Sequence, residues 1–254
     1  MIDPLRGLRR WCEESPKSRL TGLPEAIVRG LLGIVFPRRI LSTLPRSAGA
    51  AVSLTFDDGP DARNSRRILQ ILQEEGVPAT FFIHGSACER HPQLVQAMVA
   101  QGHEVANHGY SHLAPDETTP AGYVDDVERG QRILEATVGH AVPRVFRPPY
   151  GRLSARTFLR LWRRGYGFVL WSIDSRDSFL TEADDVVTTV LDAPVTAGSI
   201  VLLHEDYAWT VEALPALISR IRERGLAFAT VGSVRTFPAA AQLRAEASGK
   251  ERCA

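Results

Sequence analysis

Cysteine is scarce in this chain. Cys12, Cys88 and Cys253 are the only three among 254 residues. They are far apart, odd in number and never in a CxxC pair, which argues against both a disulfide framework and a zinc–thiolate site. Such low usage fits a reducing compartment. Long apolar runs are missing too. The best stretch, 26–36, is interrupted by Arg29, Gly30 and Gly33 and falls short of the roughly 20 residues a membrane span needs. No uninterrupted apolar run and no small-residue cleavage site follow the first ten residues, so no secretory signal is expected and a cytoplasmic location is. An excess of one charge is also absent. The formal net charge is +1, which removes any general electrostatic case for a nucleic-acid partner. What remains is 44% hydrophobic and 23% charged residues, the balance of a globular protein long enough to bury a large core without cross-links.

The chain divides by pattern. Residues 1–48 hold nine Lys/Arg against four Asp/Glu, with Pro37 and Pro45 near their end. They read as a basic helical extension and linker, packed on the domain or in peripheral contact with a membrane or partner. From 49 to 238 short apolar runs alternate with amphipathic stretches. Strands are expected at 50–56, 80–83, 104–106, 144–146, 166–171, 199–203 and 227–231. Helices are expected at 65–75, 92–101, 120–138, 154–164, 182–191 and 211–224. Seven strands alternating with helices indicate a parallel α/β fold, either a barrel or a doubly wound sheet. Residues 239–254 form a polar, Ala-rich tail.

In such folds functional groups collect where strands end, and polar runs recur there. Thr55-Phe56-Asp57-Asp58-Gly59-Pro60 follows the first expected strand. Asn107-His108-Gly109-Tyr110-Ser111-His112 follows the third, and Arg147-Pro148-Pro149-Tyr150-Gly151 the fourth. Asp174-Ser175-Arg176-Asp177 follows the fifth, and His204-Glu205-Asp206 the sixth. His108 and His112 are four apart, a spacing that predicts both imidazoles on one face of a helical turn. Two imidazoles and one carboxylate make a facial set for a divalent metal with positions left open. Adjacent aspartates are costly to bury as anions unless a cation compensates. A metal on one of Asp57 and Asp58 resolves that cost and leaves the other free to accept a proton. Hydrolysis of an amide also needs an acid for the departing amine, and His204 is the candidate. Arg147 against Asp57 would hold a base anionic, and Asp177 against His204 would favour the imidazolium. His84 and His103 read as structural histidines, His91 and His140 as surface ones.

With these motifs in order, the chain resembles the polysaccharide deacetylases of carbohydrate esterase family 4, the NodB-homology domain. The Thr55–Pro60 run is the most specific element. Ala79-Thr80-Phe81-Phe82-Ile83-His84-Gly85 and Gly102-His103-Glu104-Val105-Ala106-Asn107-His108 also match, and the likeness spans about 52–230. The resemblance implies a distorted (β/α) barrel with fewer than eight repeats, about seven strands here. It implies Asp57 as general base, Asp58, His108 and His112 as metal ligands, and His204 as general acid. Arg147 would orient the base and Asp177 tune the acid. The Tyr150 N–H would hold the oxyanion and Leu202 would touch the acetyl methyl, with Pro148 among the substrate-contacting positions. One divalent ion is implied, zinc first, with cobalt, nickel or manganese as alternatives. The substrate implied is an N-acetylated sugar or polysaccharide of the chitin-oligosaccharide, peptidoglycan or glycolipid-precursor type.

One position departs from the family. A Trp that commonly walls the substrate groove is replaced by Ser178, with Phe179 next; Phe179, Tyr150 or Trp209 is then the candidate stacking surface. Two other functions remain open at this stage. One is an O-acetyl esterase or cyclic-amide hydrolase on the same barrel, the other a non-catalytic carbohydrate-binding protein. The complete acid–base set argues against the second.

Overall fold

A computed structural model describes residues 40–234. Nine strands form one parallel sheet curled into a half-barrel: β1 (Ile40–Leu41), β2 (Ala51–Asp57), β3 (Thr80–Ile83), β4 (Glu104–Asn107), β5 (Val145–Phe146), β6 (Gly167–Val169), β7 (Ile173–Asp174), β8 (Ile200–His204) and β9 (Ala227–Phe228). The order is β1-β6-β5-β4-β3-β2-β8-β7, with β9 on the start of β2. Seven helices cover the outside: α1 (Asn64–Glu75), α2 (Gly85–Arg90), α3 (Pro92–Ala100), α4 (Pro120–Val138), α5 (Ala155–Arg163), α6 (Ala183–Asp192) and α7 (Ala208–Glu223).

Local chemistry accounts for the boundaries. α4 starts with Pro120 at its first turn and the Thr119 side chain accepting from the Gly122 N–H. α5 is capped in the same way by Ser154. Gly76 and Gly139 adopt left-handed conformations after α1 and α4, the geometry that terminates a helix most cheaply. β2 is buried along its whole length, as a central parallel strand covered on both faces must be.

Side chains alternate across a strand, and here the alternation sorts the chemistry. The outward row (Leu54, Phe56, Phe81, Ile83, Val105, Val201, Leu203) joins the principal core under α1, α3, α6 and α7. Phe146 and Phe168 pack outward on Tyr123, Val127 and Leu161 of α4 and α5. The inward row begins apolar, with Ala51, Phe82, Ala106, Val145 and Ile200 around Leu44 and Val231. It ends polar at the carboxyl edge, with Asp57, His108, Arg147 and His204.

Among the described residues the sheet has nine strands rather than the expected seven. β1 lies within the stretch read as extension and linker, yet it pairs with β6 and is followed by the buried Leu44, whose N–H donates to Gly198 O at 2.8 Å. The sheet therefore already includes residues 40 and 41, ahead of the expected boundary at 49. β7 lies in the stretch read as loop, so the Asp174–Asp177 run begins at the last residue of β7 and does not follow a fifth strand at 166–171. The six-residue α2 was not expected either. No helix among the described residues is long and apolar enough to cross a membrane. The expected N-terminal helices, their possible membrane contact and the tail from 239 lie outside the described residues.

Candidate active site

The register of the sheet brings the chemistry together. Asp57 at the end of β2 is the direct partner of His204 at the end of β8, and Thr55 that of Leu202. Leu202 and His204 therefore share the inner face with Asp57. Both His204 and Asp57 have a fixed partner of opposite charge. Arg147 is fully buried and donates from Nη1 to Asp57 Oδ1 at 2.6 Å and to Thr55 Oγ1 at 2.9 Å. Its other nitrogens reach Leu170 O at 3.1 Å and Val169 O at 3.4 Å, and its guanidinium lies 4.0 Å over the Phe82 ring. Burial lowers the Arg147 pKa, opposed by the Asp57 charge. On the other side His204 Nδ1 donates to Asp177 Oδ1 at 2.6 Å, and the His204 N–H donates to Asp177 Oδ2 at 2.8 Å. Burial alone would lower His204, but the Asp177 hydrogen bond and charge outweigh it, with Asp57 and Asp58 adding, and push it up to about 9. One wall thus holds an anion and the other an imidazolium.

Between them stands Asp58, turned inward by a left-handed backbone (φ 70°) ahead of a cis Gly59–Pro60 bond. Its Oδ1 is 3.1 Å from His112 Nε2 and 3.3 Å from His108 Nε2. The ligand atoms of these three residues all lie within 4.8 Å of one another. Burial would raise the Asp58 carboxyl, but His108 and His112 hold it well below the usual carboxylate range. A divalent cation fits the donor set for a specific reason. His108 Nδ1 faces the Arg147 backbone carbonyl at 2.7 Å, and a carbonyl only accepts, so Nδ1 carries the proton. Nε2 is then the ring atom left for a ligand, and it faces Asp58, whose buried Oδ1 has no hydrogen-bond partner. A shared cation satisfies both atoms, and the Nδ1 contact is the orienting bond that metal-binding histidines usually make.

The expected helical turn at 108–112 is not there. His108 leaves β4 into a loop that Gly109 (φ 86°) and His112 (φ 55°) fold back. Asn107 Oδ1 accepts from the Gly109 N–H at 2.7 Å, and Asp126 Oδ2 from the Tyr110 N–H at 2.8 Å. A four-residue spacing suits a tight loop as well as a helix. Tyr150 is also left-handed (φ 57°), beside Pro148 and Pro149, with its half-exposed ring edge-on to His112 at 4.7 Å. Left-handed non-glycine residues cost energy and collect where geometry is constrained for function; three of the four here are Asp58, His112 and Tyr150.

Sequence reasoning missed several contributors. Thr210 Oγ1 donates to Asp177 Oδ2 at 2.8 Å, and the Trp209 indole N–H to Asp177 O at 2.7 Å. Trp209 stacks on Tyr207 (5.0 Å), whose ring is edge-on to His204. It braces the Asp177 loop rather than offering a free stacking face; Phe179, at 81% exposed, offers one. Glu205 is fully buried behind Gly59 with Ser65 Oγ donating to Oε2. Burial pushes it up to about 8. His84, read as structural, reaches the site: its Nε2 is 3.8 Å from Asp58 Oδ1. Burial, with the neighbouring His108, pushes it down to about 4. His84, Asp58 and His112 line one open cavity of about 310 Å³ with Pro60, Asp61, Arg90 and Asp206. His103 was expected to be structural, and it is buried at the opposite end of the sheet with its Nδ1 accepting from Ala79 N–H at 3.3 Å. No sequence signal marks Thr210, and Trp209 was expected only as a stacking surface, since only the fold brings α7 to Asp177.

The family model for polysaccharide deacetylase matches residues 46–169. A chitooligosaccharide deacetylase of Bradyrhizobium sp. (strain ANU 289) is 36% identical over 70% of this chain and 88% of its own length. This chain belongs to the polysaccharide deacetylase family. A second relative of the same description, from Sinorhizobium fredii (strain NBRC 101917 / NGR234), is 40% identical over 73% of this chain and 93% of its own. Among solved structures, a peptidoglycan N-acetylglucosamine deacetylase in complex with 4-naphthalen-1-yl-N-oxidanyl-benzamide superposes with a TM-score of 0.74. It is 29% identical, covering 80% of this chain and 95% of that one. The half-barrel is thus the fold of carbohydrate esterase family 4, as the motifs implied.

Proposed function

We propose that this polysaccharide deacetylase hydrolyses the N-acetyl amide of amino sugars, releasing acetate and a free amine, at a site built on one divalent metal. The observation that carries the reading is the pairing across β2 and β8. Asp57 and His204 are neighbours in register, one hydrogen-bonded to the Arg147 guanidinium and the other held protonated by Asp177, with the Asp58–His108–His112 set between them. Amide hydrolysis needs a base for the attacking water and an acid for the poor leaving nitrogen, at the same time and on opposite sides.

Asp58, His108 and His112 would hold the ion, with zinc as our assignment. When bound it supplies positive charge that polarises the acetyl carbonyl and acidifies water. The remaining steps belong to the side chains. Asp57, oriented by the hydrogen bond from the Arg147 guanidinium, accepts the proton of the attacking water. The Tyr150 backbone N–H, presented by its left-handed turn beside Pro148, steadies the oxyanion. Leu202, on the inner row below His204, contacts the acetyl methyl. His204 then donates a proton to the departing nitrogen, and Asp177 stabilises the imidazolium before transfer. In the groove Phe179 takes the stacking role that Ser178 lacks. The acceptors we assign are chitin-type oligosaccharides, peptidoglycan strands or their N-acetylated precursors.

Acetate release by the zinc-loaded protein should be followed with chitin oligomers, peptidoglycan fragments and monomeric N-acetyl sugars. Turnover of at least one of these amides is expected. Release from acetyl esters alone would replace the amide reading with an esterase.

A further inference from the structure

The proposed chemistry leaves one buried acid unused. Glu205 follows His204 directly, and the alternation that turns Val201 and Leu203 outward and His204 inward sends Glu205 to the outer side of the sheet. It is fully buried there, and its backbone N–H donates to Asp57 O at 3.1 Å. Its Oε2 accepts from the hydroxyl of Ser65, in the first turn of α1. Its Oε1 is buried without a hydrogen-bond partner. That oxygen lies against Gly59, where a Cβ would sit 1.7 Å from Oε1 and 2.1 Å from Cδ. Burying a carboxyl with one oxygen unmet costs more than an apolar side chain of the same shape would, so filling space does not account for this residue.

What its contacts enclose is the turn that carries Asp58. Asp58 stands at φ 70°, a conformation that costs energy in a non-glycine residue and persists only where the surroundings hold it. Glu205 meets that turn before, after and beyond Asp58. Its N–H holds the Asp57 carbonyl, and the edge of its carboxyl lies flat on Gly59. Its hydroxyl partner Ser65 is fully buried and accepts from the Asp61 N–H at 2.8 Å. Asp61 in turn takes the N–H groups of Arg63 and Asn64 on its Oδ1, at 2.9 and 2.8 Å. The end of β8, the turn and the start of α1 are thus fastened together at one carboxyl.

We propose that Glu205 is a positioning residue for Asp58, acting through Gly59 and the Ser65–Asp61 link to keep Asp58 Oδ1 turned towards His108 and His112. The inference rests on the proposed reading that these three residues bind the ion. Glu205 itself offers the ion no atom and leaves the open positions of the site untouched. Groups that orient a ligand in this way commonly account for 10- to 100-fold in metal affinity.

The test reads metal binding directly, independent of turnover. Zinc dissociation constants are measured by competition with a chromophoric chelator for wild type, Glu205→Ala, Glu205→Gln, Ser65→Ala, Gly59→Ala, the Gly59→Ala/Glu205→Ala double variant and His108→Ala. Visible spectra of the cobalt-loaded proteins and melting temperatures in excess chelator are recorded alongside. Glu205→Ala is expected to bind zinc about 10- to 100-fold more weakly and to alter the cobalt spectrum, with Ser65→Ala moving both in the same direction. Glu205→Gln keeps the length and an oxygen for the Ser65 hydroxyl, so it should restore most of the affinity. Gly59→Ala should weaken zinc because its methyl meets the carboxyl, and in the double variant the two losses should not add. Zinc affinity and cobalt spectra unchanged in Glu205→Ala and Ser65→Ala, at lowered melting temperature, would make Glu205 a purely structural residue. Additive losses in the double variant would overturn the path through Gly59. Should Glu205→Ala fail to fold, unchanged zinc affinity in both Ser65→Ala and Gly59→Ala would overturn the proposal, and weakened affinity restored in Glu205→Gln would uphold it. Metal retained by His108→Ala would overturn the ligand set beneath it.

Discussion

At the scale of single residues, the two aspartates of the β2 terminus are neighbours with separate partners. Asp57 faces a guanidinium and Asp58 faces imidazoles. Asp57→Asn is therefore expected to lower acetate release by about 10²- to 10⁴-fold, the usual span for loss of a general base, while zinc stays bound. Loss of the metal in that variant would mean that the roles are exchanged. The proposed acid has its own signature. His204 is raised to about 9, with Asp177 as the principal raising partner. Removing that anion destabilises the imidazolium, so Asp177→Asn should move the His204 titration downward in the metal-free chain. Nitrogen chemical shifts of the labelled ring against pH would show it; an unmoved titration would remove Asp177 from the proton-holding role.

At the scale of elements, the site depends on how tightly helices hold the loops. Gly130 of α4 lies against the His108 loop, and a Cβ there would sit 2.6 Å from Gly109 O and 3.0 Å from Asn107 Oδ1. Gly130→Ala should cost about 1–3 kcal/mol of stability by overpacking and weaken zinc binding, read by chemical denaturation and chelator competition. Thr210→Val leaves one buried carboxylate lone pair of Asp177 unmet. It should cost about 1.5–3 kcal/mol, visible in the same denaturation curve. The elements also show what sequence could reveal. Helices of nine residues or more announced themselves through an apolar face and, for α4 and α5, a side-chain cap. β1 and β7, at two residues each, show no period; β5 and β9 are as short and were legible only as parts of the runs at 144–146 and 227–231, and α2 is barely more than a turn. Asp57, Asp58, His108, Arg147, Asp177 and His204 stood out because polar residues ended apolar strands. His84 did the same after β3 and was passed over because it stood without a polar companion. The fold of 108–112 was misread because one spacing serves two conformations, and Gly109 decided between them.

At the scale of the whole molecule, titration of buried groups ties stability to pH. His204 is raised from 6.5 to about 9, and Glu205 from 4.5 to about 8. Each binds its proton more tightly folded than unfolded, so each contributes stability that is complete below its unfolded value and lost as pH rises through its folded one. His84 and His103, lowered from 6.5 to about 4, act in the opposite sense and gain stability as pH rises to 6.5, so the metal-free chain should melt at progressively lower temperature only from about pH 6.5 to about pH 9. Glu205→Gln should flatten the part of that slope up to about pH 8; an equal slope in the variant would remove Glu205 from the account. A different consequence follows from the double use of Arg147, whose side chain holds Asp57 while its peptide carbonyl holds His108. A carbonyl is common to all twenty amino acids, whereas a guanidinium belongs to one. In a lineage that drifts at this position, the setting for the metal is inherited with the backbone, and the setting for the base can vanish in a single codon change. Descendants of that kind would keep the ion and lose the reaction, and a fold of this design can shed catalysis long before it sheds its metal.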